Sequence, residues 1–347
     1  MNHNEFFQEL QRGVIRNVYF FSGSELLIQE SALRKLTAAV LSPGLEDLNR
    51  IQMDNPDVRQ IQDVCDMAPM MDRYRLVICR ELGILGRDEG EKKKGESKGQ
   101  EAEAAQLITY LDRIPSTTIL VILAGSGFDK RRRLIKKLLS MPGSVTFDPL
   151  SDAEMVKWMN QQLKNQGSGI SSGVAQRLMF LSGRDMLALQ GELEKLAAYA
   201  GQGNAVTLEA VEQVATRSPE ARVFDMIDNL CDGKMALALE QLQTLLEEGN
   251  ARMGILALIT RQYRLMFFVA RMQTEKTPQA EMARILGIAP FVLSKIQKRI
   301  RRESPQLFNR QYQMCVQAEL DMKAGNLREE MMIETLMLTL YQMQREG

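Results

Sequence analysis

Histidine is all but absent: the chain of 347 residues has one, His3, in an N-terminal segment expected to be mobile. That leaves histidine-based acid/base catalysis, hydrolytic triads and histidine-built metal sites without their residues. Aromatics are sparse at 6%, with a single tryptophan. Net charge is missing too, because 44 basic residues cancel 44 acidic ones. No overall field recruits nucleic acid or membrane, so any such contact must come from a local patch. The four cysteines, Cys65, Cys79, Cys231 and Cys315, lie far apart with no metal-ligand spacing and read as reduced core thiols. No apolar run reaches the roughly 18 to 20 residues that span a bilayer, and no signal-peptide pattern opens the chain, so a soluble cytoplasmic protein is expected.

What is present favours helix: Leu, Met, Ala, Gln and Glu dominate, and the length calls for two or three domains. Residues 1–150 alternate strand and helix. Asn17 to Phe21 reads as a buried strand ending at Ser22-Gly23. A helix with Leu26, Leu27, Ala32, Leu33, Leu36 and Val40 on its apolar stripe follows, and Pro43-Gly44 stops it. A second strand is expected around Leu48 to Met53, a helix over Val58 to Met67, and a strand over Leu76 to Cys79. Residues 87–103, nearly devoid of apolar side chains, read as a flexible charged loop. Beyond it the pattern gives a helix over Ala104 to Leu111, a strand over Thr118 to Leu123, a basic helix over Asp129 to Leu139 and a strand over Ser144 to Phe147. Strands separated by helices imply a parallel sheet with flanking helices. From Ser151 strand signals vanish. A compact helical group spans about 151–215, with Trp158, Leu163, Leu187, Leu189, Leu193 and Leu196 as apolar positions, and a longer all-helical unit occupies 216–347.

One turn is unusual. Between the helix and strand that flank it, Met67-Ala68-Pro69-Met70-Met71-Asp72-Arg73 offers apolar side chains where a helix-to-strand connection is normally polar. The methionines either fold back as core filler or stand out as an anchor for a partner's apolar pocket.

A strand ending in glycine and feeding a helix is also the setting of a phosphate-binding loop. The pattern laid on Gly23 needs Gly at Ile28, Lys at Gln29 and Ser or Thr at Glu30, and all three are missing. The strand Leu76 to Cys79 ends in Arg80, where a magnesium-holding carboxylate is expected. The frame suits a nucleotide-binding domain and its chemistry does not. Two basic clusters, Lys130, Arg131, Arg132, Arg133, Lys136 and Lys137, and Lys295, Lys298, Arg299, Arg301 and Arg302, read either as phosphate-binding patches or as solvated faces.

Five stretches carry a family resemblance: Val18 to Glu25, Gly191 to Gly201, Ala257 to Leu265, Ala283 to Val292 and Ala318 to Gly325. In order and spread over nearly the whole chain, they resemble the delta subunit of the bacterial DNA polymerase III clamp loader. The resemblance implies a degenerate AAA+-like α/β domain over 1–150, a small helical lid domain over 151–215 and an all-α C-terminal collar over 216–347. It implies no ATP binding, no cofactor and no catalytic site, only membership of a DNA-directed DNA polymerase (nucleotidyltransferase) holoenzyme. The partners it implies are the beta sliding clamp, the tau/gamma and delta-prime loader subunits through the collar, and primed DNA, with no membrane contact. The family's apolar clamp-binding plug and the basic residue after it fall here on Pro69, Met70, Met71 and Arg73, where relatives often carry bulkier Leu-Phe or Phe-Phe pairs. In the isolated chain this plug is expected to be partly masked or wrongly oriented. The arginine-finger motif of related subunits is replaced by Met141-Pro142-Gly143. A non-catalytic helical nucleic-acid-binding or scaffold adaptor is the alternative reading.

Overall fold

Apolar runs too short for helices become the strands of one parallel sheet in the computed structural model, which describes residues 1–86, 97–325 and 329–346. The strands are β1 (Val18–Gly23), β2 (Arg50–Asp54), β3 (Arg75–Arg80), β4 (Thr118–Ala124) and β5 (Ser144–Phe147). They run in the order β2-β3-β4-β1-β5, and every pairing is parallel. β1, β3 and β4 are buried along almost their whole length, the condition under which near-continuous apolar runs are expected, whereas the edge strand β2 is largely exposed.

The helices of this part are α1 (His3–Gln11), α2 (Leu26–Val40), α3 (Glu46–Asn49), α4 (Val58–Cys65), α5 (Ser97–Leu111) and α6 (Arg133–Ser140). Alternation along β1 splits them between two faces. Val18 and Phe20 join a core with Ile61 of α4, Leu107 of α5 and Leu138 of α6. Tyr19 and Phe21 meet Phe6 of α1 edge-on on the other face. At the seam between β1 and β5 the backbones nearly touch. A Cβ on Gly143 would lie 2.0 Å from the Val18 carbonyl oxygen, and one on Gly23 2.2 Å from that of Phe147.

Four local expectations are corrected. The N-terminus is tied down rather than mobile, since Thr146 N–H donates to Met1 O at 3.0 Å and His3 stacks on Phe147. The helix of α5 begins at Ser97, not Ala104, so residues 97–103 are helical and only 87–96 of the expected loop lie outside the described residues. Gln100, Glu101, Ala102 and Glu103 are good helix formers, and a helix anchored by buried Leu107 and Tyr110 extends through them without further apolar contact. The helix α4 stops at Cys65, capped at Asp66, two residues earlier than its pattern. The basic helix α6 starts only at Arg133, because the Asp129 carboxylate accepts from the Arg131 N–H at 2.9 Å and holds residues 129–132 in a turn.

Contacts divide the chain into two units, Met1–Ser151 and Asp152–Gly347. The second is mostly helical, yet it also holds a two-residue parallel pair, Gly169–Ile170 with Ala205–Val206, too short for periodicity to reveal. Leu189, Leu193 and Leu196 are fully buried in the helix Met186–Ala200 as expected, but Leu187 lies off their face and is 72% exposed. The helix Arg252–Thr274 is long and apolar enough by composition to cross a membrane, contrary to the sequence expectation. It is a core helix of this unit, with Leu256, Ile259, Tyr263, Met266 and Val269 buried.

Replacing Gly143 with alanine forces β5 away from β1. We expect a loss of about 2 kcal/mol or more in stability, read as a lowered midpoint in urea unfolding.

Candidate functional site

The connection from α4 to β3 stands out as a braced loop with apolar side chains turned outward. It is held by side chains at Cys65, Asp66, Ala68, Met70 and Arg73. Thr118 Oγ1 donates to Cys65 O at 2.6 Å, Tyr110 OH to Asp66 Oδ1 at 2.6 Å, and Arg75 Nη2 to Ala68 O at 2.9 Å. The fully buried Asn49 accepts from Met70 N–H at 2.7 Å and donates to Met70 O at 2.9 Å. Asp72 accepts from the N–H of Ser42 at 2.8 Å and of Arg73 at 2.6 Å.

On this frame Pro69 is half-buried, Met67 and Met70 are about half exposed, and Met71 is 87% exposed. The expected masking of the tip therefore does not occur, and the core-filler reading of Met70 and Met71 fails with it. Met71 has φ +55°, a left-handed conformation that side chains with a Cβ avoid. Arg73 is exposed, its guanidinium 5.0 Å from the Tyr74 ring centre. The backbone N–H groups aimed at Asp72 hold its carboxyl below the usual aspartate value. Beneath the tip, burial pushes the thiols of Cys65 and Cys79 up to about 12, which keeps them protonated and unreactive.

At the end of β1 the phosphate-loop frame is filled by its own side chains. Gln29, 4% exposed, donates from Nε2 to Gly23 O at 3.0 Å. Glu30 is paired with Arg80 of β3 at 2.6 Å. Together they place an amide and a neutralised ion pair where a lysine and a magnesium carboxylate belong. A cleft of about 560 Å³ remains beside them, bordered by Leu26, Arg80, Gly125 and Phe128.

The first basic cluster does not act as one helical face. Arg131 pairs with Asp129, Lys137 with Asp112, and Arg132 donates to Ile84 O at 2.8 Å. Lys130, Arg133 and Lys136 point to solvent. The second cluster is largely absorbed into packing. Arg299 bridges Asp228 and Asp232, and Lys295 sits 4.9 to 5.5 Å from the ring centres of Phe180, Phe224 and Phe291. Burial and nearby Arg177 lower the Lys295 pKa. Lys298 and Arg301 are exposed, and the side chain of Arg302 lies outside the described ones.

Residues 19–145 match the family model for the DNA polymerase III delta subunit, and residues 220–340 match the model for its C-terminal domain. The chain belongs to the DNA polymerase III delta subunit family. It is 24% identical over 336 residues to DNA polymerase III subunit delta of Bacillus subtilis, covering 96% of this chain and 95% of that protein. A probable DNA polymerase III subunit delta of Aquifex aeolicus is 24% identical over 208 residues, 59% of this chain and 57% of the relative. Among solved structures, the Bacillus subtilis DNA clamp loader delta protein shares the fold, with TM-score 0.54 and 22% identity over 98% of this chain and 99% of that one.

The tip of this delta-family chain lies inside the first matched stretch. Its outward methionines are visible in sequence, but the residues that brace it are not. Asn49 reads as part of a strand, and Thr118 and Tyr110 read as core. The one available signal is a carboxamide, Asn49, at the head of an edge strand.

The Asp72 latch follows from the sign of its shift. A depressed folded pKa supplies stability at pH values above the ordinary value of 3.8, and that stability is lost as pH falls through the lower folded value. The Ser42 and Arg73 amide chemical shifts should therefore stay constant from pH 8 to about 4.5 and move together only below the ordinary aspartate range.

Proposed function

We propose that this chain is the delta subunit of a clamp loader, which binds the beta sliding clamp through Pro69, Met70, Met71 and Arg73 and helps open it for loading onto primed DNA. The observation that carries this reading is the pair of exposed methionines on a braced tip in a delta-family chain. Single exposed apolar residues are ordinary, but the neighbouring Met70 and Met71 are both exposed on one braced turn beside Pro69. Each methionine buried in a clamp pocket contributes about 1.5 to 3 kcal/mol. Unbranched and polarizable, the pair fits an irregular apolar pocket that bulkier Leu-Phe plugs fill differently. Arg73, next to the plug, suits an acidic rim on the clamp.

The clamp is opened by differential affinity: the tip binds the open form more tightly than the closed one, and only that difference shifts the equilibrium. No covalent chemistry is needed from this chain. The Gln29 contact and the Glu30–Arg80 pair support a degenerate AAA+-like domain that neither binds nor hydrolyses ATP. This makes the chain a non-catalytic subunit of the polymerase holoenzyme.

We divide the remainder into a lid domain over 151–215 and a collar over 216–347 that assembles with tau/gamma and delta-prime subunits. Supporting the collar assignment is a largely apolar groove of about 830 Å³ between the helices Pro305–Lys323 and Glu329–Glu346, lined by Met314, Ala318, Met332, Leu336 and Met343. DNA contact within the loader would fall to Lys130, Arg133 and Lys136, with Arg131, Arg132 and Lys137 orienting that turn through their internal partners. Such contact is electrostatic and weakens steeply with salt.

Calorimetric titration with the sliding clamp of the same organism should show binding that the Met70→Ala, Met71→Ala variant loses by at least a hundredfold while its melting midpoint is unchanged. Parent-like binding by that variant would remove the plug. The purified chain is also expected to leave a fluorescent ATP analogue unbound at millimolar concentration, and saturable binding would contradict the self-filled loop.

A further inference from the structure

Two anchors bracket the tip, and both tie it to the connection that leads out of α2 into β2. The first is Asn49, fully buried, which spends its whole carboxamide locally: Oδ1 accepts from Met70 N–H, and Nδ2 donates to Met70 O and to Leu45 O at 3.2 Å. The second is Asp72, whose Oδ2 accepts from Ser42 N–H while Oδ1 accepts from Ser42 Oγ–H at 3.2 Å and from Arg73 N–H. Between them stands Met71 with its left-handed φ. At 87% exposure its side chain has almost no intramolecular contact to reward that conformation, so the bonds on either side are what hold it.

We propose that Asn49 and Asp72 are positioning residues for clamp binding. By fixing the backbone on both sides of Met71 they hold Met70 and Met71 outward in the geometry the clamp accepts, before the clamp arrives. The inference rests on the reading of the tip as the clamp contact and adds the cause of its readiness. A loop ordered in advance does not have to surrender backbone freedom on association, and one set loose does. Arg75 and Thr118 hold the approach to the tip at Ala68 and Cys65, whereas Asn49 and Asp72 act on the two sides of Met71.

The test uses the full chain and its sliding clamp, with calorimetric affinities, amide hydrogen exchange over residues 66–74 and a melting midpoint for each variant. Asn49→Ala and Asp72→Ala are expected to weaken clamp binding about tenfold and to speed exchange over that stretch, with both methionines intact. Asp72→Asn keeps one oxygen to accept from the Ser42 N–H while its NH2 can donate to Ser42 Oγ, so only the Arg73 N–H contact is lost, and it should recover part of the affinity. A general loss of structure would not be rescued in that way. If Asn49→Ala melts early because a fully buried group is lost, the Asp72 pair at its half-buried position decides the matter. Parent-like affinity in Asn49→Ala and Asp72→Ala despite faster exchange would overturn the proposal. The clamp-contact reading would still stand as long as the Met70→Ala, Met71→Ala variant fails to bind. Parent-like binding by that methionine variant would instead bring down the reading and this proposal together.

Discussion

A backbone that leaves a buried parallel sheet and turns at its edge must find partners for the N–H and C=O groups it takes out of the ladder. Between α4 and β3 this requirement is met by side chains, because the loop's own methionines face away and supply no polar atoms. Thr118 of β4, Arg75 of β3 and Asn49 of α3 take the Cys65, Ala68 and Met70 groups, and Asp72 of the loop itself takes the Arg73 N–H. Arg75 shows how far this goes. It is 5% exposed, its Nε has no partner among the described residues, and its terminal nitrogen serves the loop at Ala68. Desolvating a guanidinium for one backbone carbonyl is costly, and the gain is a turn whose shape does not depend on what its side chains touch.

The same unit closes the end of β1 with its own side chains. The parallel strand order, the glycine closing β1 and the helix that follows form the frame around them. The close approach of Gly23 to Phe147 is a requirement of the β1–β5 seam, independent of any phosphate. Gln29 turns inward to the Gly23 carbonyl, and Glu30 neutralises Arg80. Both arrangements satisfy polar groups at the end of the strand from within the unit.

What could be read in the sequence followed from period and punctuation. The five strands were legible because their apolar runs are short, β-branched or aromatic, and bounded by turn residues. The tip was legible because proline and paired methionines sit where polar residues belong. Features set by partners distant in sequence were not legible. Asn49 serves Met70, 21 positions away, and no local pattern announces it. Lys295 and Arg299 looked like surface charge, yet the fold turns one onto three rings and the other onto two carboxylates. The early start of α5 was hidden for a different reason: a solvated helical turn needs no apolar residue, so composition alone resembles a loop. Leu187 erred the other way, as an apolar side chain that its helix points at water.

The dependence of Met70 on Asn49 also bears on how the tip can be inherited. A recognition element built from consecutive residues can be cut out, fused to another protein or copied as a short peptide. This one cannot, because the amide that shapes it arrives with α3, 21 positions upstream, at the head of the strand that pairs with β3. A nine-residue copy of the turn would carry the methionines without their posture. The tip is thus a property of the folded sheet edge, because the residue that fixes Met70 leads directly into β2.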